Sequence, residues 1–247
     1  HEGAKRRAGH LALLGHGDPV AFRNLSVCEL PPAANYQAVQ AAGFAPLFDG
    51  TLKGWDVQPG DEGHWVPLNG ILKYDGKSES TEKNLWTQKE YGDFTLVCDW
   101  RWAAEGPKSQ RPIILPDGSE KKNDDGTSVT EEIQELDSGI YLRGSEKSQV
   151  NLWNWSVGSG EVYGFRTNMS LSPEVRAGVT PKAKADKPLG QWNRMMITMQ
   201  GEALTVVLNG QTVIDHAQLP GVAAKGRLAL QHHGAAIDFA NVWIKEL

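Results

Sequence analysis

Apolar and polar residues alternate at every second position through much of the chain, a pattern that predicts β-strands. Asn69-Gly70 and Asn209-Gly210 separate such runs and favour the two-residue type I′ turns of β-hairpins. No long amphipathic helix is predicted, although residues 36–42 favour a short one. The pattern therefore predicts an all-β fold, a β-sandwich of two antiparallel sheets. The clearest alternating runs are Phe94–Trp102, Arg194–Met199, Ala203–Leu208 and Val242–Lys245.

Two neighbouring segments combine strand patterning with polar chemistry. In residues 137–143, alternation directs Ser138, Ile140 and Leu142 towards a core. In residues 149–155 it does the same for Val150 and Leu152. Residues 144–147 supply turn residues between them, so the two segments predict a hairpin. Its other face then gathers Asp137, Gly139, Tyr141, Arg143, Gln149, Asn151, Trp153 and Trp155.

This polar face suits a polyhydroxylated ligand. Carboxylate, guanidinium and amide groups hydrogen-bond to hydroxyls, and aromatic rings cover the apolar face of a sugar. The chain contains nine Trp residues, which makes sugar stacking a stronger hypothesis than in an average sequence. The alternative is a solvated sheet face with an Asp–Arg ion pair.

Charge, length and cysteine usage narrow the range of functions. A net charge of −5, with no basic run beyond Lys5-Arg6-Arg7, argues against a nucleic-acid partner. No apolar stretch has the length of a membrane span. Because the chain starts at His1, we interpret it as a processed or truncated product, and export of the full-length protein stays open. Cys28 and Cys98 lack nearby Cys or His partners and are predicted to be buried thiols.

The two ends of the chain resemble each other. Residues 9–30 align without gaps to residues 226–247, and ten of the 22 aligned positions are identical, including His16 with His233. We interpret residues 1–30 as the terminal strands of a preceding repeat of the same domain. Residues 31–42 are then a linker, and residues 43–247 form one complete domain. The alternative is that the N-terminal strands add to the sheet of this domain or of a neighbour.

Several short motifs follow one another in a specific order from residue 43 to the C-terminus. They are Gly43-Phe44-Ala45-Pro46-Leu47-Phe48-Asp49-Gly50, Tyr91-Gly92-Asp93-Phe94, Asp137-Ser138-Gly139-Ile140-Tyr141-Leu142-Arg143, Gly190-Gln191-Trp192-Asn193, Leu208-Asn209-Gly210 and Gln231-His232-His233-Gly234. In this combination they resemble the 3-keto-disaccharide hydrolase family. The resemblance implies a concanavalin A-like jelly-roll with a cleft on its concave sheet. It also implies a bacterial protein, periplasmic or secreted, that acts on glycosides whose sugar carries a ketone at C3.

Three positions depart from the family pattern. Asp137 stands where Asn is usual, Lys147 where many members have Glu, and Ala240 where Arg is common. The first change favours a stronger base. The other two favour a loss of activity.

A ketone at C3 acidifies the C2 hydrogen, so the glycosidic bond breaks when C2 loses its proton and C1 loses its substituent, with or without later hydration. This route needs a base, donors for the enolate oxygen and an acid. Asp137 is the expected base, with Glu132 and Glu135 as second choices. Arg143 is the expected enolate partner because its charge is permanent. His233 is the expected acid or metal-facing group, and its alternative role is a structural hydrogen bond.

The remaining candidates are expected to bind substrate. They are Tyr141, Gln149, Asn151, Trp153, Tyr163, Gln231 and Trp65. No residue is predicted as a metal ligand, since Lys121 stands at the first ligand position of the calcium-loop-like segment that includes residues 123–126. We identify no cofactor and leave a divalent cation as an open option.

Three other functions compete with a 3-keto-glycoside hydrolase or lyase. A jelly-roll endoglucanase would carry Glu-x-Asp-x-x-Glu, but Ile140 stands where the last Glu belongs. A non-catalytic carbohydrate-binding domain of a tandem-repeat exported protein is the stronger alternative. A structural or protein-interaction domain fits the Trp-rich amide face less well. The preferred hypothesis is an enzyme whose ligand is a keto-glycoside.

Overall fold

The computed structural model describes residues 12–15, 17–25, 36–82 and 84–247, without the side chains of residues 36 and 37. Its helices are short: α1 (Tyr36–Ala41), α2 (Tyr163–Arg166) and α3 (Pro173–Gly178). Its strands are β1 (Ala45–Pro46), β2 (Trp55–Asp56), β3 (Trp65–Leu68), β4 (Ile71–Tyr74), β5 (Leu85–Tyr91), β6 (Phe94–Trp102), β7 (Lys108–Pro112), β8 (Thr130–Gln134), β9 (Asp137–Leu142), β10 (Ser145–Trp153), β11 (Asn193–Gln200), β12 (Ala203–Leu208), β13 (Gln211–Gln218), β14 (Gly226–Leu230) and β15 (Ile237–Glu246).

The strands form two large antiparallel sheets and one small hairpin. The eight-stranded sheet has the order β13-β12-β11-β6-β15-β4-β3, and β1 pairs with β15. The five-stranded sheet has the order β10-β9-β14-β5-β2, while β7 and β8 pair only with each other within the described part of the chain. The large sheets make a concanavalin A-like jelly-roll sandwich, which confirms the predicted fold class.

The hydrophobic core lies between the two large sheets. Trp100, Leu72 and Phe239 from the larger sheet and Ile140 and Leu152 from the smaller one belong to a single cluster of buried side chains. Burial of each such side chain contributes about 1.5–3 kcal/mol. Because strand side chains alternate between faces, the same strands also present a second face that is free for a binding site.

The two Asn-Gly pairs form the predicted hairpin turns. Asn69 and Gly70 have φ of 53° and 76° between β3 and β4, and Asn209 and Gly210 have φ of 53° and 85° between β12 and β13. Two successive residues with positive φ are the requirement of a type I′ turn.

The turn between β9 and β10 starts one residue earlier than predicted. Arg143 and Gly144 have φ of 52° and 75°, so the chain reverses directly after Leu142. A bulge follows before Gln149 pairs regularly with Tyr141. Because β9 ends at Leu142, the alternation of faces does not extend to Arg143.

Arg143 is a buried structural residue, and its expected role as the enolate partner is wrong. Its guanidinium donates hydrogen bonds to the carbonyl oxygens of Gly92, Gly201 and Ala223 and forms an ion pair with Asp93 at 2.8 Å. These partners lie in the β5–β6, β11–β12 and β13–β14 connections. One side chain therefore ties three loops together at one end of the sandwich.

The chain divides into two compact units, residues 1–30 and 31–247. In the first unit, the described residues 12–15 and 17–25 contain no helix or strand. The remainder of the predicted strand pair and Cys28 lie outside the described residues, so the proposed preceding repeat stays a prediction. In the second unit, α1 lies inside the predicted linker, where the sequence favours a short helix.

Cys98 and the helices also match their sequence-based expectations. Cys98 is a buried free thiol, and burial raises its pKa. None of the helices in the described ranges has the length and apolar character needed to cross a membrane.

Replacing Arg143 with Met is expected to lower the free energy of unfolding by about 3 kcal/mol, because carbonyl groups in three loops lose their shared donor and Asp93 loses its ionic partner. Urea denaturation measures this loss. Arg227→Met is the control, since Arg227 is partly exposed in its ion pair with Asp56 and should cost about 1 kcal/mol or less. Equal losses for the two variants would contradict the structural role of Arg143.

Candidate functional site

A cleft of about 310 Å³ opens on the face of the five-stranded sheet that is turned away from the core. Strands β9 and β10, the segment after β14, the β7–β8 hairpin and the start of α2 all contribute side chains. The cleft brings together eight of the residues predicted from sequence: Glu135, Asp137, Gln149, Asn151, Trp153, Tyr163, Gln231 and His233. Two further residues, Arg111 and Trp155, complete its lining.

The register of β9 and β10 builds the centre of this cleft. Asp137 lies opposite Trp153, Gly139 opposite Asn151, and Tyr141 opposite Gln149. The intervening residues of both strands are buried in or against the core. The hairpin therefore presents a carboxylate, two amides and two aromatic rings in fixed relative positions.

A chain of side-chain hydrogen bonds holds the amides of the cleft. Gln149 Nε2 donates to Gln231 Oε1, and Gln231 Nε2 donates to the Tyr141 hydroxyl at 2.8 Å. Gln149 lies directly over Gly139, where an added Cβ would be 2.1 Å from Gln149 Nε2. Glycine is thus required at position 139 for Gln149 to adopt this position. Tyr141 itself is buried and stacks on Trp86, with ring centroids 5.7 Å apart.

Three aromatic rings form one wall of the cleft. Trp153 stacks on Trp155 with ring centroids 4.3 Å apart, and Tyr163 meets Trp153 edge-on at 6.1 Å. Trp153 Nε1 donates to the Gly158 carbonyl oxygen at 2.9 Å, which fixes the orientation of the indole. A rigid aromatic wall of this kind suits the apolar face of a sugar ring.

Asp137 and His233 form the main titratable pair of the cleft. His233 Nδ1 lies 3.6 Å from Asp137 Oδ2, and the Asp137 side chain is 19% exposed against 55% for His233. Burial raises the pKa of Asp137 to about 6, and the Glu135 carboxylate adds to this rise, while His233 and Arg111 oppose it. A carboxylate with a pKa close to neutral pH is suited to exchange protons with a substrate.

Arg111 brings a permanent positive charge into the cleft. Its Nε lies 2.5 Å from Glu135 Oε2, and its guanidinium lies over the Trp155 ring, 5.4 Å from the ring centroid. Burial raises the pKa of Glu135, but hydrogen bonds from Arg111 and Ser109 lower it more strongly, so the net shift is downward. Glu135 is therefore a weaker base than Asp137. Sequence reasoning missed Arg111, because the polar segment that contains it shows no alternation of apolar and polar residues.

A buried ion pair supports the part of the cleft wall that contains Tyr163. Glu161 and Arg166 are in direct contact, and Arg166 also lies over the Tyr163 ring at 5.3 Å. Burial raises the pKa of Glu161. This pair anchors α2 and so positions Tyr163. Glu161 and Arg166 are isolated charges among turn residues, so no sequence pattern indicates the pair.

The side-chain amide of Asn151 is buried in the cleft. The residue is 3% exposed, and its Nδ2 has no hydrogen-bond partner among the described residues. A buried unsatisfied donor costs about 1–3 kcal/mol. Because Asn151 lines the cleft, a ligand oxygen is a suitable acceptor for this donor.

Three further predicted site residues, Tyr141, Glu132 and Trp65, are not among the residues that line the cleft, as Arg143 is not. Tyr141 contacts the lining residue Gln231 through its hydroxyl. Glu132 belongs to β8 and forms an exposed ion pair with Lys108 at 2.7 Å, because the β7–β8 hairpin turns this side chain towards solvent. Trp65 is a core residue that is 2% exposed and stacks on Tyr74 with centroids 3.9 Å apart. The predicted positions of Glu132 and Trp65 at the substrate are therefore wrong.

Two of the departures from the family pattern lie away from the cleft. Lys147 sits in the bulge at the start of β10, outside the cleft lining. Ala240 lies in the eight-stranded sheet opposite Asp99 and is buried with Ile71 and Trp192. Only Asp137 changes the cleft itself, where it places a carboxylate in the usual position of an amide.

Metal ligation receives no added support from the geometry. No group of three or more His, Cys, Asp and Glu side chains in the described ranges is arranged to hold a metal ion. The acidic turn near residue 125 closes on itself, since Asp125 Oδ1 accepts hydrogen bonds from Thr127 N and Oγ1. The question of a divalent cation therefore stays open.

An antiparallel jelly-roll whose sheet carries an aromatic and amide-lined cleft defines a carbohydrate-active protein. The chain belongs to the 3-keto-disaccharide hydrolase family, described as the 3-keto-alpha-glucoside-1,2-lyase-like domain, whose model matches residues 43–245. The resemblance seen in the sequence motifs is thus confirmed.

Solved structures share the fold at low sequence identity. Two of them are candidate glycosyl hydrolases from Parabacteroides distasonis ATCC 8503. The first is 19% identical with a TM-score of 0.56 over 85% of this chain and 97% of its own. The second is 18% identical with a TM-score of 0.52 over 83% of this chain and 99% of its own. No curated protein sequence matches this chain significantly.

Gly139→Ala is expected to abolish sugar binding while the sandwich stays folded, because its Cβ would displace Gln149 from the hydrogen-bonded chain. We expect a stability loss of about 1–3 kcal/mol from this displacement. Quenching of Trp fluorescence by sugar measures binding, and circular dichroism checks the fold. Gly210→Ala is the control: it introduces comparable strain at a positive φ, but nothing lies within 4 Å of its added Cβ. Unchanged binding by Gly139→Ala would contradict this role.

Asp137→Asn is expected to stabilise the folded protein at pH 8 but not at pH 3.5. The folded-state pKa of about 6 lies above the ordinary value of 3.8, so the unfolded chain loses this proton at a lower pH than the folded chain does. The free energy of unfolding therefore falls as pH rises from about 4 to 6, and the loss is complete above pH 6. The expected gain at pH 8 is about 1–3 kcal/mol, or a few degrees in melting temperature. Thermal unfolding at both pH values measures it. The exposed Asp124→Asn should give no gain at either pH.

Proposed function

We propose that this protein cleaves the glycosidic bond of 3-keto-glycosides by removing the C2 proton and eliminating the C1 substituent. The observation that carries the proposal is the Asp137–His233 pair, a partly buried carboxylate beside a histidine in a cleft suited to a sugar. Family membership supports the same chemistry. Export to the periplasm or the medium is a further part of the proposal and rests on the family resemblance.

The proposed reaction has two bond-breaking steps. A base takes the proton from C2, and the electrons of the C–H bond form an enolate with the C3 carbonyl. The enolate then re-forms the carbonyl, a C1–C2 double bond appears, and the C1–O bond breaks. An acid protonates the departing oxygen. Addition of water across the double bond converts the product into the free 3-keto sugar and makes the overall reaction a hydrolysis.

Asp137 is the proposed base. Its pKa of about 6 leaves it ionised at neutral pH and still basic enough to accept a proton from an acidified carbon. Its partial burial supports this role, because a desolvated carboxylate is a stronger base. Glu135 is less suitable, since the hydrogen bonds from Arg111 and Ser109 lower its pKa.

Arg111 is the proposed partner of the enolate oxygen and replaces Arg143 in that role. It lines the cleft together with Asp137, and its guanidinium keeps its charge at all relevant pH values. Its ion pair with Glu135 holds one side of the guanidinium and leaves further N–H groups for a ligand.

His233 is the proposed acid for the leaving group. It is half-exposed at the edge of the cleft, where a leaving group can depart into solvent. Its position beside Asp137 allows the two groups to serve neighbouring carbons of one sugar ring. Trp153, Tyr163 and the unsatisfied amide of Asn151 are the proposed contacts that bind the ring.

A non-catalytic carbohydrate-binding domain is the second candidate. The amide and aromatic groups of the cleft support this candidate, because such groups bind a sugar whether or not a reaction follows. The departures at Lys147 and Ala240 no longer favour it, because both residues lie outside the cleft.

The deciding assay follows release of nitrophenol from the alpha and beta anomers of nitrophenyl 3-keto-glucoside, beside the unoxidised glucosides. We expect release from a keto substrate only, and a fall in kcat/KM of about 10²–10⁴-fold for Asp137→Asn. Glu132→Gln is the matched control and should keep wild-type activity, because Glu132 is exposed outside the cleft. Chelator treatment tests for a metal. Sugar binding without nitrophenol release from any substrate would contradict the proposed reaction and support the non-catalytic carbohydrate-binding domain.

The pH dependence tests the roles of Asp137 and Arg111 together. Because the base must be deprotonated, the acidic limb of the pH profile of kcat/KM should rise with an apparent pKa near 6. Arg111→Met should lower kcat/KM by about 10²-fold and move this apparent pKa upward, since Arg111 lowers the pKa of Asp137. Lys108→Met, on the same strand but outside the cleft, should change neither. An unshifted profile in Arg111→Met would contradict the pairing of these roles.

A further inference from the structure

A second cavity of about 340 Å³ adjoins the cleft. The two cavities share three lining residues, Glu135, Asp137 and His233. The proposed base and acid therefore stand on the boundary between two spaces, each near the lower end of the size range of ligand pockets. A glycoside whose reacting bond lies at this boundary extends into both.

The walls of the second cavity differ from those of the cleft. Within the described ranges, no Trp, Tyr or Phe ring and no Lys or Arg side chain lines it. Two carboxylates, Asp75 and Glu105, face it beside the three shared residues. The other walls are small or aliphatic and include Ala104, Pro107, Ala235 and Ala236. This lining offers apolar contact and negative charge, but no stacking surface.

Two glycines hold these walls close to the proposed catalytic pair. An added Cβ on Gly106 would lie 2.0 Å from the Glu135 carbonyl oxygen, so the segment that carries Glu105 packs directly on the strand leading to Asp137. An added Cβ on Gly76 would lie 2.5 Å from the Gly234 carbonyl oxygen, which places the segment carrying Asp75 against the loop after His233. The acidic walls are thus part of the built site.

The cavity carries more negative than positive charge. Asp75 pairs with His64 at 3.0 Å and Glu135 pairs with Arg111. Glu105 is exposed and forms no ion pair or side-chain hydrogen bond with any described residue. An anionic ligand group placed here would meet several carboxylates, and no Lys or Arg of the described part of the chain lines the cavity to offset them, which disfavours its binding.

We propose that the second cavity holds the leaving group of the glycoside and selects neutral or cationic leaving groups over anionic ones. The reacting sugar occupies the cleft, where the rings and amides lie, and His233 at the boundary protonates the departing oxygen. This inference rests on the proposed function for the identity of the ligand. It adds the chemical class of the group attached at C1.

The test uses three 3-keto-glucosides whose phenyl aglycones carry an aminoethyl, hydroxyethyl or carboxyethyl group in the para position. These phenols have similar acidity, so the C1–O bond is similarly reactive in all three. At low ionic strength, kcat/KM for the carboxyethyl substrate is expected to be about tenfold below that for the hydroxyethyl substrate, equivalent to about 1.4 kcal/mol. The aminoethyl substrate is expected to equal or exceed the hydroxyethyl one.

A charge reversal at the cavity wall provides the matched comparison. Glu105→Lys should remove or invert the preference against the carboxyethyl aglycone. Glu90→Lys is the control, because Glu90 is also an exposed glutamate but lines neither cavity. The same preference in both variants would overturn the proposal.

Binding of the unoxidised glucosides separates this proposal from the proposed reaction, because without the ketone they do not undergo the elimination. Titration calorimetry measures their Kd values. Equal Kd values for the three aglycones would overturn the leaving-group cavity, whatever the catalytic result. A Kd about tenfold higher for the carboxyethyl glucoside, cancelled by Glu105→Lys, would uphold the cavity even if no keto substrate is cleaved, in which case only the proposed reaction fails.

Discussion

The antiparallel pairing of β9 with β10 is the constraint on which both the core and the cleft depend. Its register sends Ile140 and Leu152 into the core and places Asp137 opposite Trp153 on the other face. A shift of one residue would exchange the two faces and expose apolar side chains to water. The packing of the core therefore fixes the position of the polar groups that β9 and β10 contribute to the cleft.

Much of the fold and part of the site are predictable because they depend on local periodicity. Alternation identifies the strands and most of the cleft face, and two Asn-Gly pairs identify the hairpin turns. Arg143 shows the limit of this reasoning: a left-handed turn ends the strand one residue early and carries the side chain into a network of loop carbonyls. Arg111 and Glu161 were missed because their partners are distant in sequence and their segments lack periodicity.

The cleft combines groups that weaken the fold when considered alone. Burial opposes ionisation of Asp137, and the Asn151 amide lacks a partner. Both costs are tolerated because the surrounding sandwich has a large core. Unfavourable groups that persist in a rigid setting are typical of functional sites, where a ligand supplies the missing interaction. The chain of Gln149, Gln231 and Tyr141 shows no such cost, since its members hydrogen-bond to one another.

The β7–β8 hairpin is separate from both large sheets, yet it supplies Arg111 and leads directly into Glu135 and Asp137. Changes in the length of a surface connection cost a sandwich little, because loop-closure entropy grows slowly with length. The hairpin can therefore be replaced during evolution by one of different length or sequence, while the strands beneath it stay constant. Within the family, substrate range would then diverge faster along this short segment than along the strands, and grafting hairpins between members is a direct route to new specificity.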